Sequence, residues 1–375
     1  MTRVLLAGVS TRGFAQSAAR AGYDVVAVDG FGDLDLRACA REVRLARVGD
    51  RFSVRAALAA ARDVARDAVC YVASFENHPA AVRSLAAGGA LWGNPPAVLA
   101  RVRDAGRLAR ALAARGFPTP AVRRTGPRGS LGGRWLVKPR ASGGGDGIVG
   151  WRGGRVPAGS YLQQRMAGVP GSIVFAADGR RAVPLGVSLA LAGDRAFGAA
   201  GFRYSGSILV RPEELLFGNA CRLAAAVTEE FRLVGVNGID FVAARGVPRA
   251  VEVNPRWTAS MELVERACGI SIFQTHARAC AGALPDVDVV RSSVAGAHGK
   301  AVVYARRDVT AGDTRRWLDD PDVRDVPAVG EPIGRGHPVC TVFARGADVA
   351  ACHAALARRA ARVYRTLARS EARTA

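Results

Sequence analysis

The sequence predicts a mixed α/β and α+β protein of two or three domains, on three observations. First, 375 residues, 49% of them hydrophobic and 23% charged, exceed one ordinary core yet describe a globular chain. Second, short apolar runs alternate with helical patterns over residues 1–96, the rhythm of a doubly wound parallel sheet. Third, short β-rich runs dominate from about residue 134 to 210, followed by a helix and two more strands.

Taken in order, RVLLAG (3–8) is a buried strand that passes through a turn into a helix ending near Gly22. DVVAVD ends a second strand at Asp29, and AVCYVA runs into the polar cluster SFENHP. ALWGNPP (90–96), with one glycine and two prolines, marks a first boundary. The helix after it runs through ARALAARG and stops at Gly116, with Pro118 and Pro120 beyond. RWLVKP, SYLQQRM, SIVFAA, AVPLGVSL, GFRYSG and ILV supply the β-rich middle. A helix over about 213–233 precedes VNGIDFVAA and RAVEVN, and helical patterns cover about 259–283. KAVVYAR, VCTVFAR and an alanine-arginine helix over 347–368 complete the chain.

Composition narrows the function classes. The formal net charge is +21, but the arginines are spread along the whole chain and aromatics make up only 6%. A nucleic-acid surface concentrates its charge and interleaves aromatics, so the expected partner is an anionic small molecule and not a nucleic acid. Seven scattered cysteines form no CxxC pair, which argues against a disulfide framework or a cysteine zinc site. No apolar run approaches the roughly 20 residues of a membrane span. The expectation is a cytoplasmic protein with no membrane partner.

At the first turn, Gly8-Val-Ser-Thr-Arg-Gly13 followed by Asp29 nearly imitates a dinucleotide fingerprint, which keeps an NAD-dependent oxidoreductase among the alternatives. Ser10 stands where a glycine would let a pyrophosphate approach, and a tight βα turn explains the pattern equally well. Ligands of open parallel sheets bind beyond the carboxyl ends of strands. Ser10, Thr11 and Arg12 follow one such end, and Glu76, Asn77 and His78 follow another, so together they form a candidate substrate crevice. Arg12 suits a carboxylate or phosphate; Glu76 and His78 suit an amine or a proton transfer. Each residue alone serves a turn or cap equally well.

The strongest signal is GVNGIDFVAARGVPRAVEVNPRW. Glu252 and Asn254, two apart, share one face of a strand, and an antiparallel turn near Arg245-Gly246 brings Asp240 opposite them. Oxygen ligands without His or Cys suit Mg²⁺, which commonly shares its sphere with nucleotide phosphates. Arg256, two residues on, can stabilise charge on a transferring phosphoryl group or form a rim salt bridge.

The stretch WLVKPRASGGGDGIV (135–149) places Lys138 at the lip of a glycine cluster. Only two of the 53 basic residues are lysine, Lys138 and Lys300. The lysine precedes the glycines and no GK[ST] follows, so this is not a Walker loop: a strand presents the lysine and the loop folds over it.

VKP with its glycine-rich loop, then GIDFV and EVNPR about a hundred residues on, resembles the ATP-grasp superfamily. GVSTR, SFENHP, VEVNPRWTAS and PVCTVFARG are similar to its branch of predicted ATP-dependent carboligases, which is associated with methanopterin- or methanofuran-type one-carbon cofactors. The resemblance covers most of the chain. It implies a Rossmann-like pre-ATP-grasp domain (1–96) and a two-part ATP-grasp domain (97–290, divided into about 97–160 and 161–290). A C-terminal closing segment (291–375) similar to that of biotin-carboxylase-like enzymes completes the expected architecture.

The resemblance further implies an enzyme forming carbon–nitrogen bonds with ATP and Mg²⁺ as cofactors, acting on a small-molecule carboxylate and an amine, and a possible homodimer. Lys138 would contact the ATP phosphates, with Ser142, Gly143, Gly144 and Gly145 in the covering loop that runs to Gly147. Gln163, Gln164, Arg165 and Met166 would form the strand edge and hinge beside adenine. Asp240, Glu252 and Asn254 would hold Mg²⁺, and Arg256 would stabilise the acyl-phosphate transition state. A compact ammonium fits between phosphates where a forked guanidinium would not, which explains why position 138 keeps its lysine.

Two positions depart from the family pattern. Many relatives carry a second ATP-contacting lysine where Arg103-Asp104-Ala105 stands, with Arg103 or Arg107 as the neighbouring replacements. The hinge has Gln163 and Gln164 in place of the usual glutamate. Lys300 is expected on a surface or an edge strand. An ATP-dependent carboxylase of the biotin-carboxylase type is the alternative ligase; no biotinyl-attachment motif is present.

Overall fold

The computed structural model describes residues 1–126, 134–286 and 295–371. Three sheets position the site. The first is five-stranded and all parallel, in the spatial order Glu42–Leu45, Asp24–Asp29, Arg3–Gly8, Ala68–Tyr71 and Ala90–Leu91. The interiors of its three central strands are apolar because both faces are covered. Val4 and Leu6 pack with Phe14 and Ala18 on one side, while Leu5 and Ala7 pack with Ala57, Val82 and Leu85 on the other. Chain order reverses about Arg3–Gly8, so the crevice beyond the carboxyl ends of Arg3–Gly8 and Ala68–Tyr71 is the topological switch point of this sheet.

The second sheet is small and antiparallel, in the order Val149–Gly150, Trp135–Pro139, Ser160–Gln164 and Val122–Arg123. Trp135, Val137, Trp151 and Leu162 form its core. The strand carrying Gln163 therefore lies between two others.

The third sheet has eight strands, from Val247–Asn254 through Val234–Ala244, Val169–Asp178, Ala182–Ala192 and Tyr204–Val210 to Ala297–Tyr304, Pro338–Gly346 and Val323–Arg324. Alternation along the strands sorts its two faces. Ile173, Val187, Ile239 and Val253 pack beneath the helix Glu214–Phe231. Ser172, Ser188, Asp240 and Glu252, in neighbouring register, take the opposite face, where the helices Met261–Cys268 and Ile272–Cys280 join this sheet to the first.

Three expectations change. The C-terminal strands do not stand apart: Ala297–Tyr304 pairs directly with Tyr204–Val210. Gly206 permits that approach, since a Cβ there would lie 2.2 Å from the Lys300 carbonyl oxygen. Lys300 accordingly sits in a central strand, 3% exposed, and not at an edge or surface. The helix expected after residue 96 is two helices, Pro96–Val102 and Ala105–Ala114, because the Asp104 carboxylate caps the second by accepting from the Arg107 N–H at 2.8 Å. Among the described residues, no helix is long and apolar enough to cross a membrane.

Candidate active site

The hairpin Val234–Ala244 and Val247–Asn254 sets Asp240 directly opposite Glu252, with a bulge just after Asp240. Its turn is made by Arg245 and Gly246, at φ 52° and 72°. The Asn254 side-chain amide donates to Asp240 Oδ2 at 2.9 Å, and Arg256 Nη2 donates to Asn254 Oδ1 at 3.2 Å. Asp240, Glu252 and Asn254 thus present two carboxylates and one amide oxygen, a hard-oxygen set without His or Cys that fits Mg²⁺ in its chemistry. Burial, with the Glu252 charge beside it, pushes the Asp240 carboxyl up to about 6. Burial also pulls Glu252 upward, but Arg103 and Lys138 outweigh it and hold that carboxyl below its ordinary value.

Cations converge on this pair from two other segments. Lys138 ends the strand Trp135–Pro139, 6% exposed; its Nζ donates to Gln163 Oε1 at 3.2 Å and lies 4.0 Å from Glu252 Oε2. Gln163 is fixed by donating from Nε2 to the Val251 carbonyl at 3.0 Å. Arg103, projected by the break between the two helices, donates to Glu252, to the Val253 carbonyl at 3.0 Å and to Asn77 Oδ1 at 2.7 Å. Arg107, the other replacement considered for the missing lysine, is exposed. The signal for Arg103 was available in Asp104, whose capping role interrupts the helix there.

The glycine-rich stretch is a loop docked against the start of Tyr204–Val210: the Tyr204 N–H donates to the Gly144 carbonyl at 2.8 Å. Gly145 has φ 76°, and a Cβ on it would lie 1.8 Å from the Phe202 carbonyl oxygen, so no other residue fits. Asn77 Nδ2 and Arg103 Nη2 reach the Ser142 carbonyl at 3.3 and 3.4 Å, which ties the lip of the loop to the first sheet. The space between Arg103, Lys138, Ser142, Tyr161 and Glu252 is a narrow cleft of about 20 Å³.

The candidate crevice residues divide. Glu76, 1% exposed, accepts from Arg256 Nε at 2.8 Å and Nη2 at 2.7 Å, and its Oε2 has no partner. Asn77 joins the site through Arg103. His78 is exposed, with no side-chain partner among the described residues. Ser10 is half-buried at the mouth of the turn. Thr11 donates from N and Oγ1 to Asp29 Oδ2 at 2.6 and 2.8 Å, while Phe31 and Gly32 occupy Oδ1. Asp29 is therefore spent on its own loop and offers nothing to a ribose.

Arg12 is likewise committed inside the chain. It donates to Glu262 and, at 2.8 Å, to Asp325 Oδ1, and Lys300 Nζ reaches Glu262 Oε2 at 2.7 Å. Of the expected hinge, Gln164 and Arg165 are exposed and Met166 half-buried; Gln164 Oε1 accepts from the Ala121 N–H at 3.2 Å.

Residues 102–260, which contain all of this converging set except Glu76 and Asn77, match the family described as the ATP-grasp domain. The chain carries an ATP-grasp domain. Similarity of sequence extends to an uncharacterized protein of Methanocaldococcus jannaschii, 27% identical over 119 residues, 32% of this chain and 28% of that protein. Similarity of fold is wider. Pyruvate carboxylase of Rhizobium etli superposes with a TM-score of 0.73 at 15% identity, over 96% of this chain and 37% of that one. L-amino acid ligase of Bacillus licheniformis gives 0.66 at 15% identity, over 98% and 97%. The chain thus spans under two-fifths of the first two and nearly all of the third. ATP-grasp architecture accounts for the second and third sheets meeting at the Lys138 cleft.

Proposed function

We propose that the chain is an ATP- and Mg²⁺-dependent ligase that activates a small-molecule carboxylate as an acyl phosphate and joins it to an amine. The observation that carries this reading is the antiparallel register of Asp240 and Glu252, with Asn254 and Arg256 continuing the same strand and Lys138 4.0 Å from Glu252. Asp240, Glu252 and Asn254 would hold Mg²⁺, which supplies charge neutralisation across the β- and γ-phosphates. Lys138 and the N–H groups of the glycine loop would bind the phosphates, and Arg103 would leave Glu252 for a phosphate as the metal arrives.

The acid's carboxylate oxygen then attacks the γ-phosphorus, the bond to the β–γ bridging oxygen breaks, and ADP leaves. Arg256, held by Glu76 and Asn254, faces the charge that builds on the transferring group. The amine nitrogen attacks the acyl carbon, phosphate departs, and the nitrogen loses a proton. Glu76 Oε2, buried and without a partner, suits that acceptor. The sequence resemblance favours one-carbon cofactor biosynthesis as the setting.

The test is a screen of acid and amine pairs for nucleotide products. ADP and phosphate released only when both substrates are present supports the ligase; AMP and pyrophosphate would exclude this mechanism.

A further inference from the structure

Along the glycine-rich loop lies a cavity of about 550 Å³ that shares no lining residue with the Lys138 cleft. Three segments line this open groove: the loop residues Gly145–Val149, the turn that contains Arg195 and Arg203, and the C-terminal turns at Arg306 and Arg335. Four guanidinium groups line it, and Asp146 is its one carboxylate. Such an excess of cations along an open groove suits an anionic ligand.

Two of the four arginines are fixed in advance. Arg203 donates to the Gly336 carbonyl at 2.6 Å, with its guanidinium 5.3 Å from the Tyr304 ring centre. Arg306 donates to the Arg195 and Ala196 carbonyls at 3.2 Å and lies 4.0 Å over Tyr364. Holding a guanidinium by carbonyls and an aromatic face lowers the ordering cost when a ligand arrives. The side chains of Arg195 and Arg335 have no partner among the described residues and are free to close on one.

The cavity also borders the chemistry. Its wall residue Arg203 precedes Tyr204, whose hydroxyl is raised by burial and further by the nearby Tyr304, Asp240 and Glu262. One wall is the glycine-rich loop that, on the proposed reading, would also bind the ATP phosphates, so one loop would sense both ligands.

We propose that this cavity binds a second anionic group, a carboxylate or a phosphate, carried by the acid that the enzyme activates. The proposal rests on the ligase reading for the acid's role, but the anion site can be tested without turnover. Calorimetric titration at constant ionic strength would use citrate, inorganic pyrophosphate and acetate as probes of the full chain. The variants are the exposed pair Arg195→Ser with Arg335→Ser, and separately Lys138→Ala.

The expected result is that citrate or pyrophosphate binds and acetate does not, with the two polyanions distinguishing a carboxylate from a phosphate site. The double variant should weaken the polyanion by about tenfold or more, while Lys138→Ala leaves it intact. Absence of polyanion binding, an unaffected double variant, or loss only in Lys138→Ala would overturn the assignment; the last would place the anion among the ATP phosphates. MgADP titrated in parallel separates the two claims. Failure of the wild type to bind MgADP counts against the ligase, whereas a polyanion effect confined to the double variant would still establish the cavity as an anion site.

Discussion

Arg103 donates to the Glu252 carboxylate, so a cation proposed in place of the family's second lysine is paired, in this structure, with one of the three proposed metal ligands. Its guanidinium also holds Asn77 and the Ser142 carbonyl, so it connects the first sheet, the loop and the metal strand. On the proposed reading, the metal would need the Glu252 charge when MgATP binds, and Arg103 would turn towards phosphate. Arg103→Ala should therefore raise the MgATP dissociation constant about tenfold, with partial recovery in Arg103→Lys. Fluorescent-nucleotide competition measures it. Unchanged affinity in Arg103→Ala, alongside a loss in Arg107→Ala, would transfer the role to Arg107.

Lys138 is enclosed between Gln163 and Glu252, and there is little space around it for a larger head group. Lys138→Arg keeps the charge but replaces a compact ammonium by a planar fork. Turnover and MgATP affinity should both fall, by about tenfold or more. Undiminished kinetics in this variant would mean that charge alone is required at position 138.

Glu252→Gln removes a metal charge while preserving size. The expected outcome is a loss of at least about 100-fold in acid- and amine-dependent ADP release, since a divalent ion contributes several kcal/mol to phosphoryl transfer. Far-ultraviolet circular dichroism and thermal melting should stay close to wild type. Retained turnover would remove Glu252 from the metal site.

What the sequence made legible follows from the range of each interaction. The turn at Arg245-Gly246 brings the two strands together, and a bulge that takes up one extra residue on the second strand sets Asp240 opposite Glu252; strand pairing across a short turn is local. The break that projects Arg103 is also local, yet the helical pattern runs through it and only the capping role of Asp104 exposes it. Arg12 was harder. Its partners Glu262 and Asp325 are 250 and 313 residues away, and no local pattern announces them. Lys300 was misplaced for a related reason: a strand's own residues do not say whether a neighbour covers each edge, and here Tyr204–Val210 and Pro338–Gly346 cover both.

The Lys300–Glu262 pair yields a stability prediction. Both groups are buried, and Glu262 is shared with Arg12. Lys300→Met leaves Glu262 with one cation and should cost about 3–5 kcal/mol in urea unfolding, the usual penalty for removing one partner of a buried pair. In a Glu262→Gln background the same change should cost less, with a coupling of about 1–3 kcal/mol. Equal losses in both backgrounds would show that Lys300 acts through packing against Phe343 and not through its charge.

His276 links stability to pH. It is 3% exposed; its Nδ1 accepts from the Val236 N–H at 3.0 Å, so the proton sits on Nε2, which donates to the Trp92 carbonyl at 3.1 Å. Burial lowers its pKa to about 4, against 6.5 for an ordinary histidine. Below pH 6.5 the unfolded chain takes up a proton that the folded chain refuses, so folding loses stability as pH falls from 6.5 towards about 4 and then levels off. The full window corresponds to about 3 kcal/mol. In His276→Gln, whose amide can still accept from Val236 and donate to Trp92, this part of the slope should disappear. Denaturant midpoints from pH 7 down to 4.5, taken as the difference between wild type and variant so that Asp240, raised to about 6, cancels, isolate the effect; an identical pH slope in the variant would assign the titration to another group.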